Sequence, residues 1–143
     1  MNPKQELIFD FDHAVGTEDR FAIRRFVNAF VSAVNNQGKD DVSRFLSKSI
    51  TAEGFGEFPL QQLELINLYY KKFFGRRHSY IHFPQVRLTT QKSFFLLSGS
   101  YEEYQEGILS AAGTIDLWIV KQDEQYLIEK IIFYPRMRAV ESE

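Results

Sequence analysis

No cysteine occurs anywhere in the 143 residues. That excludes disulfides, zinc-thiolate centres and cysteine nucleophiles. Charge of one sign is also lacking. The formal net charge is −2, which gives no whole-molecule field for nucleic acid or an anionic membrane surface. Long apolar runs are absent as well, and nothing approaches the roughly 20 residues of a membrane-spanning helix. Met1 to Phe11 holds a single lysine and no apolar stretch of signal-peptide length, so a cytoplasmic setting is expected. There is no phosphate loop, dinucleotide fingerprint, nucleophile elbow or metal-binding helix, so no cofactor is expected. His13, in Asp10-Phe11-Asp12-His13, offers metal-type ligands, but no second cluster joins it, and no metal is expected. Repeats, linkers and low-complexity segments are missing too, which leaves one domain over 1–143, with a lead-in at 1–16 and a tail at 135–143.

What is abundant is aromatic. Fourteen Phe and seven Tyr exceed the needs of a small core, and a surplus of rings commonly lines a cavity or an interface. The lead-in carries Leu7, Ile8, Phe9 and Phe11, too few for an element of their own and suited to packing across the domain or a neighbouring subunit.

The spacing predicts a first helix from about Glu18 to Gln37. Thr17 is the expected N-cap, and Glu18 and Asp19 suit the positive end of the helix dipole. Ile23, Phe26, Val27, Phe30, Val31 and Val34 make one apolar face, while Arg24, Arg25, Asn28, Ser32 and Asn35 take the other. Gly38 supplies a left-handed stop. A short second helix follows Asp40 or Asp41, with Val42, Phe45 and Leu46 inward. Ile50 to Phe55 reads as a short strand. Pro59 opens a third helix carrying Leu60, Leu63, Ile66, Tyr70, Phe73 and Phe74, and Gly75 ends it. Lys71, Lys72, Arg76 and Arg77 gather at its C-terminal end, where the dipole favours cations.

Tyr80–Thr90, Ser93–Gln105, Ile108–Lys121 and Tyr126–Tyr134 read as strands, rich in β-branched and aromatic residues. The turns between them are short, which forces an antiparallel meander. Pro84 lacks a donor, so it belongs at an edge or a bulge. Helices first and long strands second give an α+β class with helices on one sheet face. Along 108–121 both strand faces carry apolar residues. Helices cover one of them, and a second copy of the chain is the simplest cover for the other, so a homodimer through the sheet face is expected. Tyr101, Glu102, Glu103 and Tyr104 are expected to face water or that partner.

The order helix, short helix, short strand, long helix, four long strands resembles the nuclear transport factor 2-like superfamily over Glu18 to Tyr134. Its cone-shaped, cystatin-like fold packs three N-terminal helices on a curved, mainly antiparallel sheet. Two local strings are similar to its SnoaL-like and steroid isomerase-like branch. Ala52-Glu53-Gly54-Phe55-Gly56 places Glu53 where the isomerases hold a general base, with Gly54 replacing a proline. Ile115-Asp116-Leu117-Trp118 matches a string whose Asp points into the cavity. Phe30 stands where the isomerases carry a hydroxyl-donating tyrosine, and phenylalanine cannot donate to an oxyanion.

The resemblance implies a pocket lined by Glu53, Asp116, Phe30, Tyr70, His82 and Trp118. Glu53 and Asp116 would be the catalytic pair, one a base and the other a protonated donor, shuttling a proton α to a carbonyl. His82, between Ile81 and Phe83, is either a base facing the cavity or a partly exposed strand histidine. For Asp116, strand alternation points to the outer sheet face and the resemblance points inward. Two functions follow. One is binding of a small apolar, ring-containing molecule, with cofactor-free isomerisation, cyclisation or dehydration. The other is a non-catalytic dimerisation or assembly module whose cone is filled by its own aromatics.

Overall fold

A computed structural model describes residues 8–35, 42–53 and 79–138. The elements run β1 (Ile8–Phe11), α1 (Thr17–Asn35), a 3₁₀ turn (Val42–Phe45), β2 (Leu46–Glu53), β3 (Ser79–His82), β4 (Gln85–Thr90), β5 (Phe95–Gln105), β6 (Ile108–Gln122) and β7 (Gln125–Arg138). The class is α+β, with one α-helix among the described residues packed on a mainly antiparallel sheet. Three helices were expected. The second is only a 3₁₀ turn, because its inward residue Leu46 already belongs to β2, extended beside Ile128. The third, with Tyr70 and the basic cluster, lies outside the described residues, as does Gly38.

Helix α1 starts one residue earlier than predicted. Arg20 N–H donates to the Gly16 carbonyl at 3.0 Å, so Gly16 is the N-cap and Thr17 the first helical residue. Ile23, Val27, Phe30, Ala33 and Val34 are buried beneath the helix, while Phe26 and Val31 of the expected stripe are half-buried against the core and Ala33 joins the stripe. Asn35, assigned to the polar face, instead reaches the sheet. Its amide nitrogen donates to Ile81 O at 2.9 Å, and its oxygen accepts from Ile81 N–H at 2.7 Å. The helix end thereby pairs with β3 as a strand would.

The sheet order is β1-β4-β5-β6-β7-β2, with β3 also pairing β5. Strands β4 to β7 form the predicted antiparallel meander. Its two ends are closed by parallel neighbours, β1 on β4 and β2 on β7. The lead-in therefore does contribute a strand. Four residues suffice because β4 supplies a ready edge, and Ile8 N–H donates to Pro84 O at 3.1 Å. Pro84 sits in the break between β3 and β4, both of which pair with β5, so the proline occupies an interruption of the ladder. Strand β7 continues through Pro135 to Arg138, three residues past the hairpin partner of Gly113, where the tail was expected.

Both long hairpins close on two residues of positive φ, Glu106-Gly107 and Asp123-Glu124, the twist that suits tight antiparallel turns. Register then shifts between Glu103 and Tyr104, between Ala112 and Gly113, and between Trp118 and Ile119. Such bulges bend strands and increase twist, which curls the sheet around α1. The core lies in that curl. Ile50, Ala52, Leu88, Leu97, Ile115, Leu117, Ile119, Ile128 and Ile131 are fully buried against Ile23, Val27 and Phe30. Each large aliphatic side chain so buried contributes about 1.5–3 kcal/mol. Tyr101 joins this interior at 2% exposure, its ring edge-on to Phe133 with centroids 4.8 Å apart. It therefore points inward rather than to water or a partner surface, because, four residues on from Leu97, it shares the α1 side of β5.

Candidate functional site

Alternation along β6 decides where the predicted site residues lie. Ile115, Leu117 and Ile119 point under α1, so Asp116 and Trp118 belong to the opposite, outer face of the sheet. Ala52 is fully buried, which turns its neighbour Glu53 outward on β2. Glu53 and Asp116 both pair in register with Ile132, one from each side of β7. The two carboxylates thus stand on one face two strand spacings apart, roughly 10 Å between backbones. His82, next to buried Ile81 and opposite Glu102, lies on the outer face at the far end of the sheet. Phe30 is the exception. It is 2% exposed and packs edge-on against Phe45 at 5.8 Å between centroids, inside the core. The structure therefore gathers Glu53, Asp116 and Trp118, sets His82 apart, and puts Phe30 on the other side of the sheet.

Around the two acids, further residues complete a cluster. Ser98, directly across from Asp116 on β5, donates its hydroxyl to Asp116 Oδ1 at 2.6 Å. Tyr134 on β7 donates to Asp116 Oδ2 at 3.2 Å. Lys130 Nζ lies 3.7 Å from Glu53 Oε2 and 4.8 Å from the centre of the Trp118 ring. Phe94 stacks on the same indole at 4.4 Å with an interplanar angle of 8°. Since β5 and β7 flank β6 on opposite sides, the indole is held between a phenyl ring and an ammonium group. Both of its faces are thus occupied by the chain itself, which leaves no free ring platform.

The electrostatics follow from the geometry. Tyr134 remains 46% exposed, yet its hydroxyl is pushed above the ordinary tyrosine range. Partial burial is the main cause, followed by the charge and hydrogen bond of Asp116 and then the charge of Glu53. One phenol thus feels both carboxylates. Tyr104 behaves alike at the other end of β5. Its hydroxyl is raised first by burial and then by Glu102, to which it donates at 3.0 Å, while its ring stacks on Tyr80.

Among the described residues no group of three or more His, Asp or Glu comes together to hold a metal ion. No described helix is long and apolar enough to cross a membrane.

Ser98, Tyr134, Lys130 and Phe94 were not identified from the sequence. Their signal is the pairing register, which the bulges conceal. The arrangement is a network of already paired charges and hydroxyls set among rings on an open sheet face.

This architecture is the nuclear transport factor 2-like fold, also described as cystatin-like. No family model matches the sequence, and no curated protein matches it either. Solved structures do. A nuclear transport factor 2-like protein of unknown function from Pseudomonas putida KT2440 superposes with a TM-score of 0.72 at 10% identity, over 84% of this chain and 88% of that one. A provisionally named scytalone dehydratase from Novosphingobium aromaticivorans gives 0.72 at 10% identity, over 85% and 87%. A provisionally named calcium/calmodulin dependent protein kinase II association domain from Xanthomonas campestris gives 0.69 at 13% identity, over 87% and 93%. At such identities the likeness is one of fold.

Proposed function

We propose that the chain is a self-assembly module that forms a homodimer through the sheet face turned away from α1. One observation carries this reading: the ionised groups at the centre of that face are already answered by neighbours on the same face. Asp116 accepts from Ser98 and Tyr134, and Glu53 pairs with Lys130. Covering a carboxylate that lacks a partner costs several kcal/mol, and these partners remove much of that penalty. Ile132 lies between the two acids, and Trp118, Leu96 and Phe94 extend the same face as apolar surface beside them. A two-fold interface asks one patch to complement itself, and this patch presents acceptors and donors together. That a similar fold bears the name of an association domain supports the same use.

The other reading places a ring-containing ligand inside the cone, with cofactor-free proton transfer between Glu53 and Asp116. It asks both carboxylates to face α1. Their outer-face positions favour assembly instead.

Sedimentation equilibrium at tens of micromolar, a range suited to a stable interface of standard size, tests the proposal. The native chain is expected at twice its 16.8 kDa mass. Ile132→Glu, which adds a charge at the centre of the patch, is expected at 16.8 kDa with its circular dichroism spectrum retained. A native chain that sediments as a monomer across that range overturns the reading.

A further inference from the structure

Away from the sheet face, Thr17, Arg20, Phe21 and Arg24 follow the i, i+3, i+4, i+7 spacing of one helical stripe. With Phe11 of β1 they line a cleft of about 280 Å³. Such a volume lies at the lower end of ligand sites and suits a compound of a single ring.

Three features of the cleft converge. Phe21 is 67% exposed, the largest exposure of any phenylalanine among the described residues' exposed rings, and no described ring packs on it. Arg20 is held rigidly. Its Nε donates to Val15 O at 2.9 Å, one terminal nitrogen donates to Asp12 O at 3.3 Å and His13 O at 3.5 Å, and its guanidinium lies 5.4 Å over the Phe11 ring. Its other terminal nitrogen has no acceptor among the described residues, and neither Arg20 nor Arg24 has a carboxylate within 4.0 Å there. The nearby acid Asp19 is engaged by the Tyr126 hydroxyl instead. An uncovered ring thus lines the same cleft as two arginines that no described acid neutralises.

We propose that this cleft binds a small aromatic carboxylate. Arg24 keeps a whole planar guanidinium, whose fork matches a carboxylate in geometry and charge, and Arg20 adds its remaining terminal nitrogen. Phe21 offers the ligand ring an apolar wall, since the Phe11 ring is already engaged by Phe9 and Arg20. A neutral ring would leave the arginines unanswered, an amine would be repelled by them, and a small aliphatic anion would leave Phe21 exposed to water.

The test is an amide chemical-shift titration of the full chain with benzoate, with acetate and benzyl alcohol run beside it. Benzoate is expected to give saturable shifts at residues 11–24, with a Kd on the order of millimolar, as befits a ligand of nine heavy atoms on an open cleft. Acetate and benzyl alcohol are each expected to bind at least about tenfold more weakly, since each lacks half of the recognition. Arg24→Gln and Phe21→Ala should weaken benzoate by about tenfold while keeping the native melting temperature, because both side chains are exposed. Absence of saturation up to about 50 mM, equal response to acetate, or unchanged benzoate binding in both variants overturns the proposal.

Discussion

The Tyr126 hydroxyl donates to a carboxylate oxygen of Asp19 at 2.5 Å, joining the first turn of α1 to the start of β7 across 107 residues of chain. Burial, then the Asp19 hydrogen bond and charge, then Glu18, push the Tyr126 hydroxyl well above its ordinary value of 10.0. In the folded state this proton is therefore held more tightly than in the unfolded chain. Its stabilising contribution is complete below about pH 10, the unfolded tyrosine value, and is lost as pH rises toward the folded one. Stability is expected to fall with rising pH above about 10, and Tyr126→Phe should flatten part of that decline. At neutral pH the same variant should cost about 1.5–3 kcal/mol, the range for a hydrogen bond to a charged group. Urea unfolding at pH 7 and at alkaline pH checks both, and an alkaline limb unchanged in Tyr126→Phe would show that this bond does not cause it.

Asn35 ends α1 with both polar atoms of its amide on the Ile81 backbone. Asn35→Ala leaves an N–H and a C=O of part-buried β3 without their partners, an expected loss of about 1–3 kcal/mol. Asn35→Asp retains an acceptor for Ile81 N–H but sets a carboxylate oxygen against the Ile81 carbonyl. It should destabilise at least as much at neutral pH. Hydrogen exchange at Ile81 is the local measurement, and protection equal to native in both variants would sink the account.

Gly113 lies in β6 at a register shift against β7, where a Cβ would stand 2.2 Å from Tyr134 O and 3.0 Å from Pro135 Cα. Those atoms are backbone and cannot swing aside. Gly113→Ala is expected to cost about 1–3 kcal/mol through displacement of β7. Because Tyr134 moves with that strand, the hydroxyl should also lose its hold on Asp116. Calorimetry gives the first effect and alkaline spectroscopic titration of Tyr134 the second. A native melting point would mean that the hairpin accommodates a methyl group at no cost.

Much of the fold was legible because it rests on local periodicity. The stripe from Ile23 to Val34 has helical spacing, and the turns at Glu106-Gly107 and Asp123-Glu124 separate strands of β-branched and aromatic residues. Pro84 announced an interruption of the ladder because it has no N–H to give. Asn35 and Tyr101 were misplaced for one shared reason: polarity was read as exposure, whereas Asn35 satisfies a strand edge and Tyr101 packs its ring on Phe133.

The outer-face cluster could not be read the same way. Counting back from the Asp123-Glu124 turn without a bulge sets Asp116 opposite Ile131, with Tyr134 on the other face of the sheet. One extra residue in β7, between Ile128 and Lys130, moves Asp116 opposite Ile132 and brings Tyr134 to its side. A side chain's face alternates with every residue, so a single insertion in the ladder reverses the relation between two strands. Amino-acid order alone determined the α+β class, the helix stripe, the meander and the inward aliphatic row of β6. Tertiary structure alone decided which hydroxyls meet Asp116, which cation meets Glu53, and that Glu53 joins Asp116 on the outer face alternation had pointed to, because those contacts depend on register and bulges set by packing between distant strands.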